Sequence, residues 1–276
     1  MNGKDKRLRA ILNNKKAIIV PMDHGMSDGP IKGLINVDKT IEEVTLGGAS
    51  SVILHKGIIK SLNSVPDTGL IMHASAGTCL QQDTNNKRLV GSVTEAIRLG
   101  ADAMSLHINV GGSNHEPDML AKLGNVAEEC DLWDIPLLAM MYPRGKSISS
   151  PIDPKQVEIV TRVGAELGAD IVKSVYTGDV DSFSRVVEGC PVPIVVAGGP
   201  KLNNNRQVLQ MVADITEAGA IGVMLGRNIF QHESPQTMTR AIQRIITKSW
   251  SVDKALEELE STTAPTLTLE MANINS

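Results

Sequence analysis

The chain has 276 residues, 42% of them hydrophobic, enough to bury the core of one α/β barrel or two small domains. Aromatic residues make up only 2%, so the core must be aliphatic, and base-stacking platforms for single-stranded nucleic acid are argued against. Lys and Arg total 27 against 31 Asp and Glu, a net charge of −4, which leaves no dominant basic patch and no expectation of a nucleic-acid partner.

Three cysteines, Cys79, Cys130 and Cys190, are odd in number and far apart, so neither a disulfide framework nor a cysteine zinc site is suggested. Residues 1–16 are polar and lack an apolar targeting core, and no apolar run is long enough to span a bilayer. The expectation is a cytoplasmic protein without membrane partners.

In chain order, Ala17 to Pro21 reads as a first strand that runs into the polar Asp23-His24-Gly25. Asp38 to Leu46 has helical spacing, with Asp38 as its cap and Gly47-Gly48 as its stop. Ser51 to His55 is a second strand and Gly69 to His73 a third, followed by a polar loop from Ser75 to Asn86. A helix over Thr94–Leu99 precedes a fourth strand, Ala101 to Asn109, and a long helix over Pro117–Trp133 precedes the fifth, Pro136 to Tyr142. Asp153-Pro154 opens the next helix, with aspartate as cap and proline in the first turn.

The sixth strand lies in Gly168-Ala-Asp-Ile-Val-Lys-Ser-Val-Tyr176, and a helix follows over Asp181–Glu188. The seventh, Pro193 to Ala197, runs into Gly198-Gly199. After a helix over Arg206–Ala218, the eighth, Ala220 to Leu225, runs into Gly226-Arg227. Helices over Thr237–Lys248 and Val252–Leu259 finish the pattern, and the tail from Ser261 to Ser276 is expected to fray.

Gly48-Ala49, Gly100-Ala101, Gly168-Ala169 and Gly219-Ala220 each follow a helical stretch and open an apolar strand, as αβ junctions with glycine just past the helix end do. Eight strands alternating with helices predict a (β/α)8 TIM barrel, with residues 1–276 as one domain. An open doubly wound sheet is the weaker alternative, because no GxGxxG follows the first strand.

In a barrel the chemistry sits where strands end. Lys173 interrupts a β-branched, apolar strand, where burial favours the neutral amine, a nucleophile toward carbonyls. The competing reading is a strand-end lysine that reaches solvent or an acid. Asp23 at the end of strand one could act as a base or merely cap a turn, and Tyr142 at the end of strand five could donate a proton or simply line the wall. The glycines after strands seven and eight, with Arg227, form the pattern of a phosphate site. His24, His55, His73 and His107 offer a rival, a catalytic zinc, although no HxH or HxxxH pair provides a local chelate. A non-catalytic phosphosugar sensor would keep the glycine loops but would have no use for Lys173 and Tyr142 together.

Taken together, Pro21-Met-Asp-His-Gly25, His55-Lys-Gly57, Met141-Tyr-Pro-Arg-Gly145, Gly168 to Lys173, Val196-Ala-Gly-Gly-Pro200 and Gly226-Arg-Asn-Ile-Phe230 resemble the archaeal-type class I aldolase family. The resemblance covers about residues 16–245. It implies a Schiff base on Lys173, with Tyr142 as proton donor and Asp23 as proton acceptor. It also implies a phosphate site at Gly198, Gly199, Gly226 and Arg227, and substrate contacts at His24, Gly25, Met26, Ser27, Pro143, Arg144, Ser174 and Val175. The chain departs from the family at Ser174-Val175, where members carry Thr-Ser. Further implications are a transaldol reaction between a phosphorylated ketosugar and L-aspartate 4-semialdehyde, with fructose 1,6-bisphosphate cleavage as the alternative, no cofactor or metal, and a homo-oligomer, a decamer of two stacked pentamers.

Overall fold

The computed structural model describes residues 3–202 and 204–263. Eight parallel strands close into a barrel: β1 (Ala17–Pro21), β2 (Ser51–His55), β3 (Gly69–His73), β4 (Ala103–Val110), β5 (Leu137–Pro143), β6 (Ile171–Ser174), β7 (Ile194–Ala197) and β8 (Gly222–Met224). Each pairs with its sequence neighbours, and β8 returns to β1 with Ala17 opposite Gly222 and Ile19 opposite Met224. The fold is the expected TIM barrel.

The Gly-Ala junctions explain why the chain alternates so regularly. Gly48, Gly100, Gly168 and Gly219 all have left-handed φ, between +75° and +95°. Each alanine N–H bonds the carbonyl five residues back, and each glycine N–H the carbonyl three back, as in Ala169 to Gly164 and Gly168 to Ala165, both 3.1 Å. This doubly bonded cap ends the helix and turns the chain into the strand. The next residue completes the handover: Ser50, Asp102 and Asp170 accept from the backbone N–H of Ile18, Leu70 and Leu137 in the preceding strand.

Inward and outward residues alternate along the strands. The outward set meets the helices in one aliphatic shell, while the inward set, including Ile19, Ile53, Ile71, Leu138, Ile171 and Val195, fills the barrel. The N-terminal segment is more than a polar leader to the barrel. Gly3–Ile11 is a helix whose Ile11 is fully buried against the inward set at the barrel's base. Its Lys4 pairs with Asp131 and, at 3.1 Å, with Asp170 at the foot of β6. A tight turn with positive φ at Asn14 and Lys15 then delivers the chain into β1.

The expected helices are present with ends shifted by a residue or two, save the last, which runs four residues beyond Leu259 to Thr263. Asp38 does not cap its helix. Asn36 does, accepting from the Lys39 N–H, and Asp38 lies inside the first turn of Val37–Leu46, where its carboxylate accepts from the Asn63 N–H. Asp153 caps as expected, with Pro154 in the first turn. The polar loop after β3 carries a short antiparallel ladder, Ser75–Ala76 with Arg88–Leu89, so residues 75–89 form a strap beside the barrel mouth. Of the tail, Ser261 and Thr262 still belong to the last helix, Val252–Thr263, and 264–276 lie outside the described residues. Among the described residues no helix is long and apolar enough to cross a membrane.

Two glycines separate conformational strain from steric overlap. A methyl at Gly100 meets open space, so Gly100→Ala should lose only the cost of a left-handed alanine, about 1–2 kcal/mol. A methyl at Gly222 would sit 1.9 Å from the Ala17 carbonyl oxygen at the β8–β1 seam. Gly222→Ala should therefore destabilise the protein well beyond Gly100→Ala. Urea denaturation followed by circular dichroism measures both, and equal midpoints would contradict this account of the closure.

Candidate active site

Strand register dictates which side chains meet at the C-terminal mouth. Lys173 on β6 lies opposite Met140 on β5 and Val195 on β7. It faces inward and is 7% exposed. Tyr142 is two residues beyond Met140 and therefore on the same face, one level higher. Its ring centroid is 5.8 Å from the Lys173 Nζ. On β4, His107 pairs in register with Met140 and Asn109 with Tyr142, which stacks the His107 and Tyr142 rings 4.8 Å apart. The Arg144 guanidinium covers the other approach to that ring, 4.6 Å from its centroid.

Asp23 enters the mouth from the end of β1. Its carboxylate oxygens lie 3.6 Å from His24 Nδ1 and 3.7 Å from His73 Nε2. The other ring nitrogen of His73 is 2.8 Å from the buried Ser105 hydroxyl, and His55 packs edge-on against the His73 ring at 5.1 Å. Burial alone would raise the Asp23 carboxyl, but the surrounding His73, His24, Lys173 and His55 outweigh it and hold it down at about 2. Burial lowers His73 to about 4 despite Asp23, and it lowers His24, His55 and His107 as well. At neutral pH the mouth therefore holds an ionised carboxylate among neutral imidazoles.

These groups line one cavity of about 320 Å³, together with Met26, Ser27, Asp28, Ser75, Lys87 and Arg227. The arrangement suits carbonyl chemistry: an amine in the barrel wall, a hydroxyl on the adjacent strand, and a carboxylate across the mouth. The histidines weighed as zinc ligands are placed otherwise. His73 lies between Asp23 and Ser105, His107 bonds Asn109 at 2.9 Å, and among the described residues no three His, Cys, Asp or Glu are arranged to hold a metal ion.

Of the residues expected at the site, the structure brings Lys173, Tyr142, Asp23, His24, Met26, Ser27, Arg144 and Arg227 into the cavity. Gly25 lines a neighbouring apolar groove instead. Pro143 is buried in β5, the Ser174 hydroxyl donates to the Met141 carbonyl at 2.9 Å, and Val175 packs against the core. The glycines of the β7 and β8 loops border the cavity through Arg227, which donates to the Gly199 carbonyl at 3.1 Å, and Asn228, which donates to that of Gly198 at 3.0 Å. Gly226 passes His24 so closely that a methyl there would meet its Cε1 at 2.6 Å. Lys87 and Asp28 were absent from the sequence reading. The signal for Lys87 was the long connection between β3 and the helix that begins at Val93, since connections of that length in compact domains commonly carry function.

The His73 shift has a thermodynamic consequence. An unfolded histidine takes up its proton near pH 6.5, whereas folded His73 does so near 4. Stability should therefore fall as pH drops through that window, by about 3 kcal/mol for this one group. Asp23 acts lower: the stability it contributes is present above about 4 and is lost as pH falls toward 2. His73→Gln should flatten the slope of stability against pH between 6.5 and 4. Denaturant titrations at several pH values read that slope, and an unchanged slope would rule out a buried neutral His73.

The model of the DeoC/LacD family aldolases matches residues 17–232. Among curated proteins, the chain is 41% identical to 2-amino-3,7-dideoxy-D-threo-hept-6-ulosonate synthase of Halobacterium salinarum, over 88% of this chain and 91% of the relative. It is 42% identical to synthase 1 of that name from Archaeoglobus fulgidus, over 93% and 96%. It is also 41% identical to 2-amino-4,5-dihydroxy-6-oxo-7-(phosphonooxy)heptanoate synthase of Streptomyces griseus, over 85% and 86%. Among solved structures, it superposes with a TM-score of 0.83 on a Schiff-base-forming fructose-1,6-bisphosphate aldolase, at 30% identity over 89% of this chain and all of the other. An archaeal fructose-1,6-bisphosphate aldolase with its catalytic lysine covalently bound to the carbinolamine intermediate gives 0.82, at 30% identity over 89% and 99%.

Proposed function

The chain belongs to the DeoC/LacD aldolase family, and we propose that it is a Schiff-base transaldolase that makes 2-amino-3,7-dideoxy-D-threo-hept-6-ulosonate, for the archaeal route to 3-dehydroquinate and the aromatic amino acids. The observation that carries this reading is a single cavity in which Lys173, Tyr142 and Asp23 converge on the barrel mouth.

The product dictates the substrates. An aldol disconnection of the heptulosonate at C4–C5 gives L-aspartate 4-semialdehyde and hydroxyacetone, the latter supplied by 6-deoxy-5-ketofructose 1-phosphate. The Lys173 amine adds to the ketone beside the methyl group, and water leaves to give an iminium. That iminium accepts the electron pair as the C3–C4 bond breaks. The neighbouring hydroxyl loses its proton, and hydroxypyruvaldehyde phosphate departs. The enamine left on Lys173 attacks the aldehyde of aspartate semialdehyde, the new alkoxide takes a proton, and water frees the product.

Asp23, held ionised by its surroundings, takes and returns the hydroxyl proton. Tyr142, on the strand next to Lys173, donates to the oxygen lost as water. His24, Met26, Ser27 and Arg144 contact substrate in the cavity, and Arg227 with Gly198, Gly199 and Gly226 forms the phosphate-binding rim. A cytoplasmic homo-oligomer belongs to the same reading.

Identity to the synthases, 41–42%, exceeds the 30% to the fructose-bisphosphate aldolases and favours transaldol exchange over sugar cleavage. One observation favours a second reading. The rim at β7 and β8 lies beside the lysine strand, where it could hold a phosphate on the ketone half itself. The product named for the Streptomyces relative carries such a phosphate, and the same disconnection of it gives dihydroxyacetone phosphate and aspartate 4-semialdehyde.

Borohydride reduction with each ketone in turn, read by peptide mass, separates the readings. A Lys173 adduct with 6-deoxy-5-ketofructose 1-phosphate, and turnover only when aspartate semialdehyde is added, is the expected result. Efficient condensation from dihydroxyacetone phosphate would favour the second reading, and triose phosphates from fructose 1,6-bisphosphate would make the protein a sugar-cleaving aldolase. Lys173→Ala should abolish turnover and trapping, and Tyr142→Phe should lower kcat by about 10²–10⁴-fold. Substantial turnover by Lys173→Ala would end the Schiff-base account.

A further inference from the structure

We propose that Lys87, Arg144 and Asp28 form the head-group site for the amino-acid aldehyde, with Lys87 and Arg144 facing its carboxylate and Asp28 its ammonium. The assignment rests on the reading of this cavity as one in which a lysine-bound enamine attacks an α-amino acid aldehyde.

All three side chains line the cavity that holds Lys173. They arrive from three different connections, Asp28 after β1, Lys87 after β3 and Arg144 after β5. Among the described residues none of the three has an ion-pair partner within 4.0 Å. Lys87 is half-buried, and it is close enough to Arg144 to feel its repulsion and to Asp23 and Asp28 to feel their attraction. Arg144 and Asp28 stand exposed at the rim and Lys87 half-buried beside them, so the three charges stay open to a ligand that enters the cavity.

The strap that carries Lys87 is held from several sides. The fully buried Asn109 donates to the Asn85 carbonyl at 2.9 Å, and Lys122 donates to the carbonyl of Lys87 itself at 2.7 Å. The Ser75 hydroxyl accepts from the His107 N–H, and the Cys79 N–H bonds the Ser27 carbonyl at 3.3 Å. That last bond ties the strap to the short helix Gly25–Asp28 that presents Asp28. Arg144 is fixed by its stacking on Tyr142 and by its N–H bond to the Val110 carbonyl. The three charges are therefore mounted on elements bonded to one another.

Their signs select the ligand. Two cations beside a carboxylate are the electrostatic complement of an α-amino carboxylate. A phosphate alone would gain from Lys87 and Arg144 but would be repelled by Asp28. The phosphate rim already lies elsewhere, at β7 and β8. Both products named for the relatives share the amino acid half, C1 to C4, so the site is required whether or not the ketone half is phosphorylated.

Three acceptors dissect the site: L-aspartate 4-semialdehyde, succinate semialdehyde, which lacks the ammonium, and propanal, which lacks both charges. Lys87→Met should raise KM for aspartate semialdehyde about ten-fold more than KM for the ketosugar, and should erase the preference for succinate semialdehyde over propanal. Lys87→Arg should recover most of that preference, which a merely unfolded strap would not allow. Asp28→Asn should erase the preference for aspartate semialdehyde over succinate semialdehyde. The proposal is overturned if Lys87→Met raises KM mainly for the ketosugar, which would assign Lys87 to its phosphate, or if the acceptor preferences do not move in either variant. Absence of any borohydride adduct on wild-type Lys173 would instead overturn the underlying reading of the cavity, and this assignment with it.

Discussion

A closed parallel barrel has an aliphatic interior, and a lysine turned into it must either meet a counter-charge or give up its proton. Asp23 lines the same cavity, and Lys173 is among the groups that help keep its carboxylate ionised against its own burial. The remaining polar groups of the mouth follow from this requirement. His73 and His24 flank the carboxylate, Ser105 orients His73, and His55 closes the ring from β2. Imidazoles suit the position because they can stay neutral in a buried site and still present a polar edge to an acid.

The same constraint explains the segregation along the barrel axis. Below Lys173 the inward layers are mostly aliphatic, and Ile11 of the N-terminal helix seals the base. With the lower end dry and closed, the polar residues and any ligand share the upper end. Asp170 links the two: its carboxylate ties the foot of β6 to Lys4 of the sealing helix and to the backbone of β5. The strand that carries Lys173 is thus anchored at its lower end by a salt bridge and at its flanks by its ladder partners, so Lys173 emerges from a fixed backbone.

Most of the barrel was legible because its signals are local. A left-handed glycine followed by a buried alanine reports a junction wherever it occurs, and a lysine inside a β-branched run stands out whatever surrounds it. What was not legible depends on contacts between distant segments. Asp38 has the chemistry of a cap, yet Asn36 takes that role because Asp38 is drawn to the Asn63 N–H of another loop. The polar N-terminal segment gave no sign that Ile11 would close the barrel. The histidines left a zinc site open as the lesser alternative because the sequence could show their number and not their partners. Ser174, a substrate contact by resemblance, is turned by the pleat to the face opposite Lys173, where its hydroxyl donates to the Met141 carbonyl.

In the proposed reading, chemistry and recognition are carried by different parts of the fold. Lys173 and Tyr142 project from paired strands, where position is fixed by ladder bonds and the alternation of faces. The charges of the recognition ends come from connections: Arg227 after β8, Arg144 after β5, Asp28 after β1 and Lys87 from the strap after β3. A connection can change length and charge without disturbing strand register, so such a barrel can keep its amine and hydroxyl while its ends are refitted for other carbonyl compounds. The strap is the largest departure from a short βα turn in this chain, and it is fastened to β4 through Asn109 and through the Ser75–His107 bond rather than left loose. Fastening matters physically: a charge on a mobile loop is hydrated and screened, whereas one held at the rim of a half-closed cavity acts through less water on whatever lies beside the lysine.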